Sequence, residues 1–314
     1  VVGLTGWLSF RNGQKAVNDL ATQLHGEVSA RIDQHLDDYL STPVEINQIN
    51  VDAVKLGLLD LKNFDKTGNY LWKQMQVHKN VGYIFYGLPT GEYIGAGRWM
   101  KNQGVTIDEV SARTKWKNLT YATDSQGNRT QIVFTSNYNF KEDPWYTQTI
   151  KGGKPVWNEV YAWDDLPDML SVSVSYPLYN ADKTPKAVMG VDLNLFAISD
   201  FLRGIKVSPS AKIFIIEKDG QLIASSDSEP PYTIVNGAAQ RLNVTNSQDL
   251  SIRATANYIT ERFEQFDRIK NSQQLEFDLN GERQFIQVTP WRDKLGLDWL
   301  VVITVPESDF MGQI

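Results

Sequence analysis

Residues 81–99 read VGYIFYGLPTGEYIGAGRW. Two runs rich in β-branched and aromatic residues flank Pro89, Thr90 and Gly91, which is the composition of a β-hairpin. The pattern returns at residues 211–226, AKIFIIEKDGQLIASS, with a turn ending in Gly220. Both copies also close alike: VMGVDLNLFAISDF ends at Phe201 and WLVVITVPESDF at Phe310, each a strand followed by Ser-Asp-Phe opening a short helix. This internal similarity predicts an α+β chain of two modules, each of roughly 110 to 130 residues, built on antiparallel strands with helices on the flank.

Upstream of the first copy the period changes. Val17, Leu20, Leu24, Val28, Ile32, Leu36 and Tyr39 recur in steps of three and four, placing them on one face of a long helix. Over residues 14–40 it would run about 40 Å at 1.5 Å per residue, long enough for a stalk, a dimer seam or a spine for the modules. Ser41, Thr42 and Pro43 break the pattern, and further helical stretches are expected from Ile46 to Leu59 and between Leu61 and His78. The first ten residues, VVGLTGWLSF, carry no charge and are followed by Arg11 and Lys15. A bilayer needs about 20 apolar residues, so residues 1–10 read as the remnant of a transmembrane helix and 11–70 as a helical stalk.

Composition excludes several functions. A net charge of −6 without a basic stripe gives no footprint for nucleic acid. The absence of cysteine removes disulfides, thiolate metal sites and a cysteine nucleophile. His25, His35 and His78 all fall in the N-terminal helical region, without the spacing of a shared ligand face. The chain contains no G-x-S-x-G, no P-loop and no H-E-x-x-H, and GAGRWM at residues 95–100 lacks the third glycine of a dinucleotide loop. Asp164, Asp165 and Asp168 form neither a spaced acid pair nor a twelve-residue calcium loop. No catalytic residue, metal or cofactor is expected, and the chain does not read as an enzyme.

Residues 138–163, YNFKEDPWYTQTIKGGKPVWNEVYAW, concentrate polar chemistry: seven of these 26 residues are aromatic and carboxylates stand among them. Aromatic faces with carboxylates suit a cation, each ring contributing about 0.5 to 2 kcal/mol. A core cluster beside a solvated acidic loop would have the same composition. Beyond it, Leu170, Val172 and Val174 alternate with Ser171, Ser173 and Ser175, predicting a strand with an apolar face and a small polar face able to line a cavity.

With these residues in view, the chain resembles the double Cache sensor domain of bacterial chemoreceptors, sensor histidine kinases and nucleotide cyclases. The amino-acid-binding members carry Y-x4-R-x-W-Y in the membrane-distal module, then a tyrosine about fifteen residues on, then an aspartate after a G-V strand. Tyr138, Trp145, Tyr146, Tyr161 and Asp192 stand at these positions, and Asp143 occupies that of the arginine. The resemblance implies a membrane-distal PAS-like module at 71–202 that binds ligand and a membrane-proximal one at 203–314. It also implies flanking transmembrane helices, a periplasmic or extracellular address and a homodimer through the N-terminal helix. An arginine there clamps a ligand carboxylate, and a carboxylate reverses that sign. The expected ligand is therefore an amine, polyamine or quaternary ammonium, received by Asp192 within walls of Tyr138, Trp145, Tyr146 and Tyr161. An amino-acid sensor, and an extracellular interaction module without a ligand, are the alternatives.

Overall fold

The structure, a computed structural model, describes residues 2–163 and 166–311. Its first element is a single helix, α1 (Val2–Lys55), which runs through Pro43 without a break. This corrects the expected interruption at residues 41–43. A proline removes one backbone donor and costs a helix interior about 3 kcal/mol. Here Leu36, Tyr39, Leu40 and Ile46, all buried on either side of it, keep the helix running. The hydroxyls of Ser41 and Thr42 both donate to the Asp38 carbonyl (3.2 Å each). Among the described residues no helix is long and apolar enough to cross a membrane.

The chain divides into two compact units, one comprising Asp38–Trp163 and Met169–Asn194, the other built on the start of α1 through Asp37 and on the chain from Leu195 onward. In the first, α2 (Phe64–Val77) follows an N-cap in which Asn63 accepts from the Lys66 amide. The strands β1 (Tyr83–Gly87), β2 (Tyr93–Gly97), β3 (Thr106–Val110), β4 (Asn118–Thr123) and β5 (Arg129–Ser136) then lead to α3 (Pro144–Gly152). They are followed by β6 (Val156–Trp157), β7 (Tyr161–Trp163), β8 (Leu166–Tyr179) and β9 (Pro185–Asn194). The antiparallel sheet has the order β5-β4-β3-β2-β1-β9-β8-β6, with β7 paired to β8. The hairpin anticipated at residues 81–99 is β1 and β2.

The two faces of this sheet differ in chemistry. On one, α1 and α2 supply the cover: Asn47 donates to the Val174 carbonyl (2.8 Å), and the Tyr86 hydroxyl meets Thr67 (2.9 Å). Glu109 is fully buried on this face and is paired with Arg113 (2.5 Å) and Arg129 (3.2 Å). The register puts Tyr83, Phe85, Asp108, Ser173 and Asp192 on the other face.

The second unit continues with α4 (Leu195–Gly204), β10 (Lys212–Glu217), β11 (Leu222–Ser225), β12 (Tyr232–Val235), β13 (Ala238–Arg241) and α5 (Leu250–Phe263). It ends with β14 (Gln273–Leu279), β15 (Glu282–Arg292), β16 (Asp298–Pro306) and α6 (Ser308–Met311). Its main sheet, β11-β10-β16-β15-β14, repeats the β2-β1-β9-β8 order of the first. That is the structural counterpart of the paired sequence motifs, with the Ser-Asp-Phe segments in α4 and α6. Asn280 and Gly281, both at positive φ, turn β14 into β15. Helix α5 ends at Phe263 and packs Ile252, Ala256 and Ile259 into a core of Phe214, Ile286, Val288, Leu300 and Val302. At one end Arg283 donates to Gln14 of α1 (2.8 Å) and to Glu307 (2.7 Å) beside a cavity of about 280 Å³.

The helical stripe of α1 is buried within the chain: Val17, Val28, Ile32 and Leu36 are core residues. Of the uses open to that stripe, packing within the chain is the one these residues make. His25 is buried too, its imidazole pushed down to about 4 by desolvation, while His35 stacks on Phe201 with ring centroids 3.4 Å apart. Replacing Pro43 with alanine restores a backbone donor inside α1 and is expected to stabilise the chain by about 1 to 2 kcal/mol after the loss of proline's restraint on the unfolded state. Urea denaturation followed by circular dichroism measures this, and a loss of stability would mean that the helix needs the proline's bend.

Candidate functional site

The polar face of the first sheet is shaped by what its glycines lack. Tyr83 lies opposite Gly97 in the β1–β2 register, and Phe85 lies opposite Gly95 on one side and Gly190 on the other. A Cβ at Gly95 or Gly97 would collide with the Tyr83 ring, one at Gly190 would stand 2.5 Å from Phe85, and one at Gly87 2.5 Å from Phe140. Bare backbone lets these rings lie flat across neighbouring strands. The GAGRWM segment thus has its glycines for packing, with no phosphate loop involved.

Over this floor sits a cluster of Tyr83, Phe85, Tyr93, Val110, Phe140, Trp145, Tyr146 and Val188, joined by the half-buried Trp99, Tyr138 and Trp163. Trp145 packs edge-on to Phe85 (4.7 Å between centroids) and stacks on Phe140 (5.4 Å). Tyr146 contacts Phe140 (5.2 Å) and Trp145 (5.7 Å). Tyr138 meets Tyr93 edge-on at 5.2 Å. Of the six residues singled out in the sequence, Tyr138, Asp143 and Trp145 come together in one hydrogen-bonded group and Tyr161 and Asp192 in a second. Tyr146 serves the packing of the first.

Three carboxylates enter the cluster, each gripped by a tyrosine hydroxyl. Tyr138 donates to Asp143 Oδ2 (2.6 Å), which also accepts from Trp145 Nε1 (3.1 Å). Tyr161 donates to Asp192 Oδ2 (2.6 Å). Tyr83 donates to Asp108 Oδ2, which takes a second bond from Trp99 Nε1 (3.2 Å), while Thr120 donates to Asp108 Oδ1. Burial, opposed by a hydrogen bond with Tyr83 and reinforced by the nearby carboxyls of Asp108, Asp192 and Asp143, pushes the Tyr93 phenol well up from its ordinary range.

Asp143 stands at the N-cap of α3, where a short carboxylate ordinarily accepts from the helix's first amides. It makes no such bond: its backbone carbonyl begins the helix, and its side chain turns instead to Tyr138 and Trp145. Helix α3 starts without a side-chain cap because Pro144 at its first position sets φ in advance and has no amide hydrogen to satisfy.

Asp192 is 3 % exposed, and its Oδ1 has no hydrogen-bond partner. Desolvation, reinforced by the charge of Asp143 and opposed by the Tyr161 bond, pushes its carboxyl up to about 8. Among the described residues no cationic side chain offsets it, in contrast to Glu109 and its two arginines on the opposite face. An aromatic-walled site with an open buried acceptor and a second carboxylate nearby attracts a small cation that can donate a hydrogen bond.

Sequence reasoning missed Tyr83, Tyr93, Trp99 and Asp108. Their signal was present as the Gly95 and Gly97 alternation opposite an aromatic strand, which marks a ring lying across its neighbour. The serines behaved as the alternation implied: Ser171, Ser173 and Ser175 are fully buried, Ser173 and Ser175 donate to Asn158 (3.2 and 2.8 Å), and Ser171 takes the Trp163 indole (2.8 Å). Asp164 and Asp165 lie outside the described residues.

Gly97→Ala should displace the Tyr83 ring and destabilise the first unit by about 1 to 3 kcal/mol, measurable by chemical denaturation. Asp192 gives a pH signature. Its folded form holds a proton up to about 8, whereas the unfolded form releases it near the ordinary carboxyl value of 3.8. The folded state therefore binds the extra proton between these limits, and stability falls as pH rises through that window. Asp192→Asn should flatten that part of the pH–stability profile and raise stability at its upper end, which thermal denaturation across the range would record.

Comparison with known proteins agrees with this architecture. Among solved structures, the ligand-binding domain of Mlp24 with asparagine has a TM-score of 0.56 at 14% identity, covering 95% of this chain and 97% of that one. The extracellular domain of a putative histidine kinase gives 0.54 at 10% identity, covering 96% of each chain. The ligand-binding domain of the Pseudomonas aeruginosa amino acid chemoreceptor PctC in complex with GABA gives 0.52 at 15% identity, covering 89% of this chain and 97% of that one. No curated protein sequence matches the chain. The Cache domain family matches residues 13–314. With that match spanning the main sheets of both units, the chain belongs to the Cache domain family.

Proposed function

We propose that this chain is an extracytoplasmic sensing domain whose first, membrane-distal module binds a small protonated amine and signals occupancy across a membrane. One observation carries the reading: the buried Asp192 carboxylate, one oxygen held by Tyr161 and the other without a partner, inside aromatic walls and without a cationic neighbour among the described residues. Charge burial of this kind is costly unless a counter-ion arrives. An ammonium group supplies both the charge and the N–H that Asp192 Oδ1 lacks.

Asp143 selects against an α-carboxylate, whose charge it would repel from the place where an arginine would clamp it. The competing reading is an amino acid ligand, favoured by the asparagine and GABA bound to the similar domains of Mlp24 and PctC. Both ligands share an ammonium group with the proposed amine, so Asp192 serves either reading and Asp143 separates them. On this view the module boundaries are those of residues 71–202 and 203–314, and α1 and α6 lead toward flanking transmembrane helices. Homodimerisation along α1 belongs to the same reading and would use the face opposite its buried stripe. A ligand biases such a domain only by its differential affinity for two arrangements.

Calorimetric titration of the purified domain with n-alkylamines, α,ω-diaminoalkanes, choline and the common α-amino acids tests the proposal. Amines should bind, Asp192→Asn should weaken them at least tenfold, and affinity should rise with pH toward about 8 as the Asp192 carboxyl gives up its proton. Strong binding of an α-amino acid with no amine binding would overturn it.

A further inference from the structure

Tyr83 stands directly opposite Asp192 in the register of β1 and β9, on the same face of the sheet. By backbone position it is well placed to cap the open Asp192 Oδ1. Its hydroxyl instead points the other way, across β2, to Asp108 on β3. Beside a hydrogen bond with Tyr93, two features hold it there. Gly95 and Gly97 leave bare backbone under the ring, so it lies flat. Asp108 Oδ2 then takes the phenol together with Trp99 Nε1, while Oδ1 is fixed by Thr120. Trp163 closes edge-on against Tyr83 at 5.6 Å.

A carboxylate with three donors is well satisfied despite being 2 % exposed, and it lies beneath the ring it holds. Asp108 is thus unsuited to touching a ligand and well suited to orienting Tyr83. We propose that Asp108 is a positioning residue of the binding site: by holding the Tyr83 hydroxyl across Gly95 and Gly97, it keeps that hydroxyl from capping Asp192 Oδ1 and leaves the oxygen to the ligand. The proposal rests on the reading that Asp192 receives a ligand N–H, but its central prediction concerns the ligand-free protein.

The groups around Asp192 are Tyr161 on β7, Asp143 at the start of α3, Tyr83 on β1, Ser173 on β8 and the ring of Tyr93 on β2. Of these, Tyr83 is the one that Asp108 holds by a hydrogen bond, and with Asp108 removed its hydroxyl keeps Tyr93 as a neighbour and gains the freedom to turn to Asp192. In Asp108→Ala the released phenol should donate to Asp192 Oδ1 and lower the titration of that carboxyl by about one pH unit. Asp108→Asn, which keeps an acceptor, should lower it less. Tyr83→Phe alone should leave it unchanged, and the double variant Asp108→Ala with Tyr83→Phe should return it toward wild type. Carboxyl ¹³C titration of the full chain, with Asp192→Asn to assign the signal, reads each case.

The same variants titrated with 1,4-diaminobutane at a pH above the Asp192 titration, where the proton no longer competes, should show about tenfold weaker binding in Asp108→Ala, recovered in the double variant. A merely structural role for Asp108 predicts that the double variant is no better than the single, and that result would overturn the proposal. So would an unshifted Asp192 in folded Asp108→Ala. If Asp108→Ala does not fold, Tyr83→Phe decides: a titration or affinity change as large as that of Tyr161→Phe would mean that Tyr83 already serves Asp192 or the ligand. Failure of every amine to bind would sink the amine reading while leaving the titration result to stand or fall by itself.

Discussion

Rings laid over glycines set the geometry of the first module. Tyr83 spans Gly95 and Gly97, Phe85 covers Gly190, and Phe140 covers Gly87. A side chain at any of these positions would lift the ring away from the sheet, and every polar contact above depends on where the rings lie. Tyr83 reaches Asp108 because it is flat. Trp145 finds its place between Phe85 and Phe140 because those two are fixed. In turn the indole of Trp145 holds Asp143, so a packing constraint in the floor ends as an electrostatic one in the walls.

The contrast between the two faces of one sheet, and between the two modules, separates structure from function. Glu109 and Asp192 are both buried carboxylates in the same unit, yet among the described residues Glu109 has two guanidinium partners and Asp192 has only a phenol. A fold that can supply arginines to one acid and does so leaves the other short of a partner among the described residues, at the place where the proposed reading puts a ligand. In the second unit the corresponding sheet is covered by α5 with an apolar core of Phe214, Ile252, Ile259 and Leu300. The repeat of strand order extends to the scaffold and stops at the chemistry.

Much of this was legible in the sequence because local patterns report local structure. The two hairpins, their Gly turns and the Ser-Asp-Phe closures are short-range signals, and the sheets realise them. Pro43 misled because propensity is a local quantity, whereas the burial of Leu36, Tyr39, Leu40 and Ile46 that holds the helix together is a tertiary one. The site was half legible. Tyr138, Asp143 and Trp145 lie within eight residues and their spacing speaks for itself, whereas Asp108, Tyr83 and Tyr93 are gathered by register across separate strands. The direction of the Asp143 side chain was also beyond the sequence, since an aspartate before a proline at a helix start looks the same whether it caps the helix or leaves it.

The proton held by Asp192 gives the site an unusual electrical character. On the amine reading, a site whose Asp192 carboxyl is protonated contributes no charge at that residue, and one that holds an ammonium against the ionised carboxylate again sums to zero. On that reading one proton leaves as one cation enters. Occupancy then scarcely alters the field that the module presents to its surroundings, so long-range electrostatics would carry little of the message. What differs between the two states is volume and hydrogen bonding: a proton is exchanged for a body that must be accommodated among close-packed rings. A receptor built this way reports through shape.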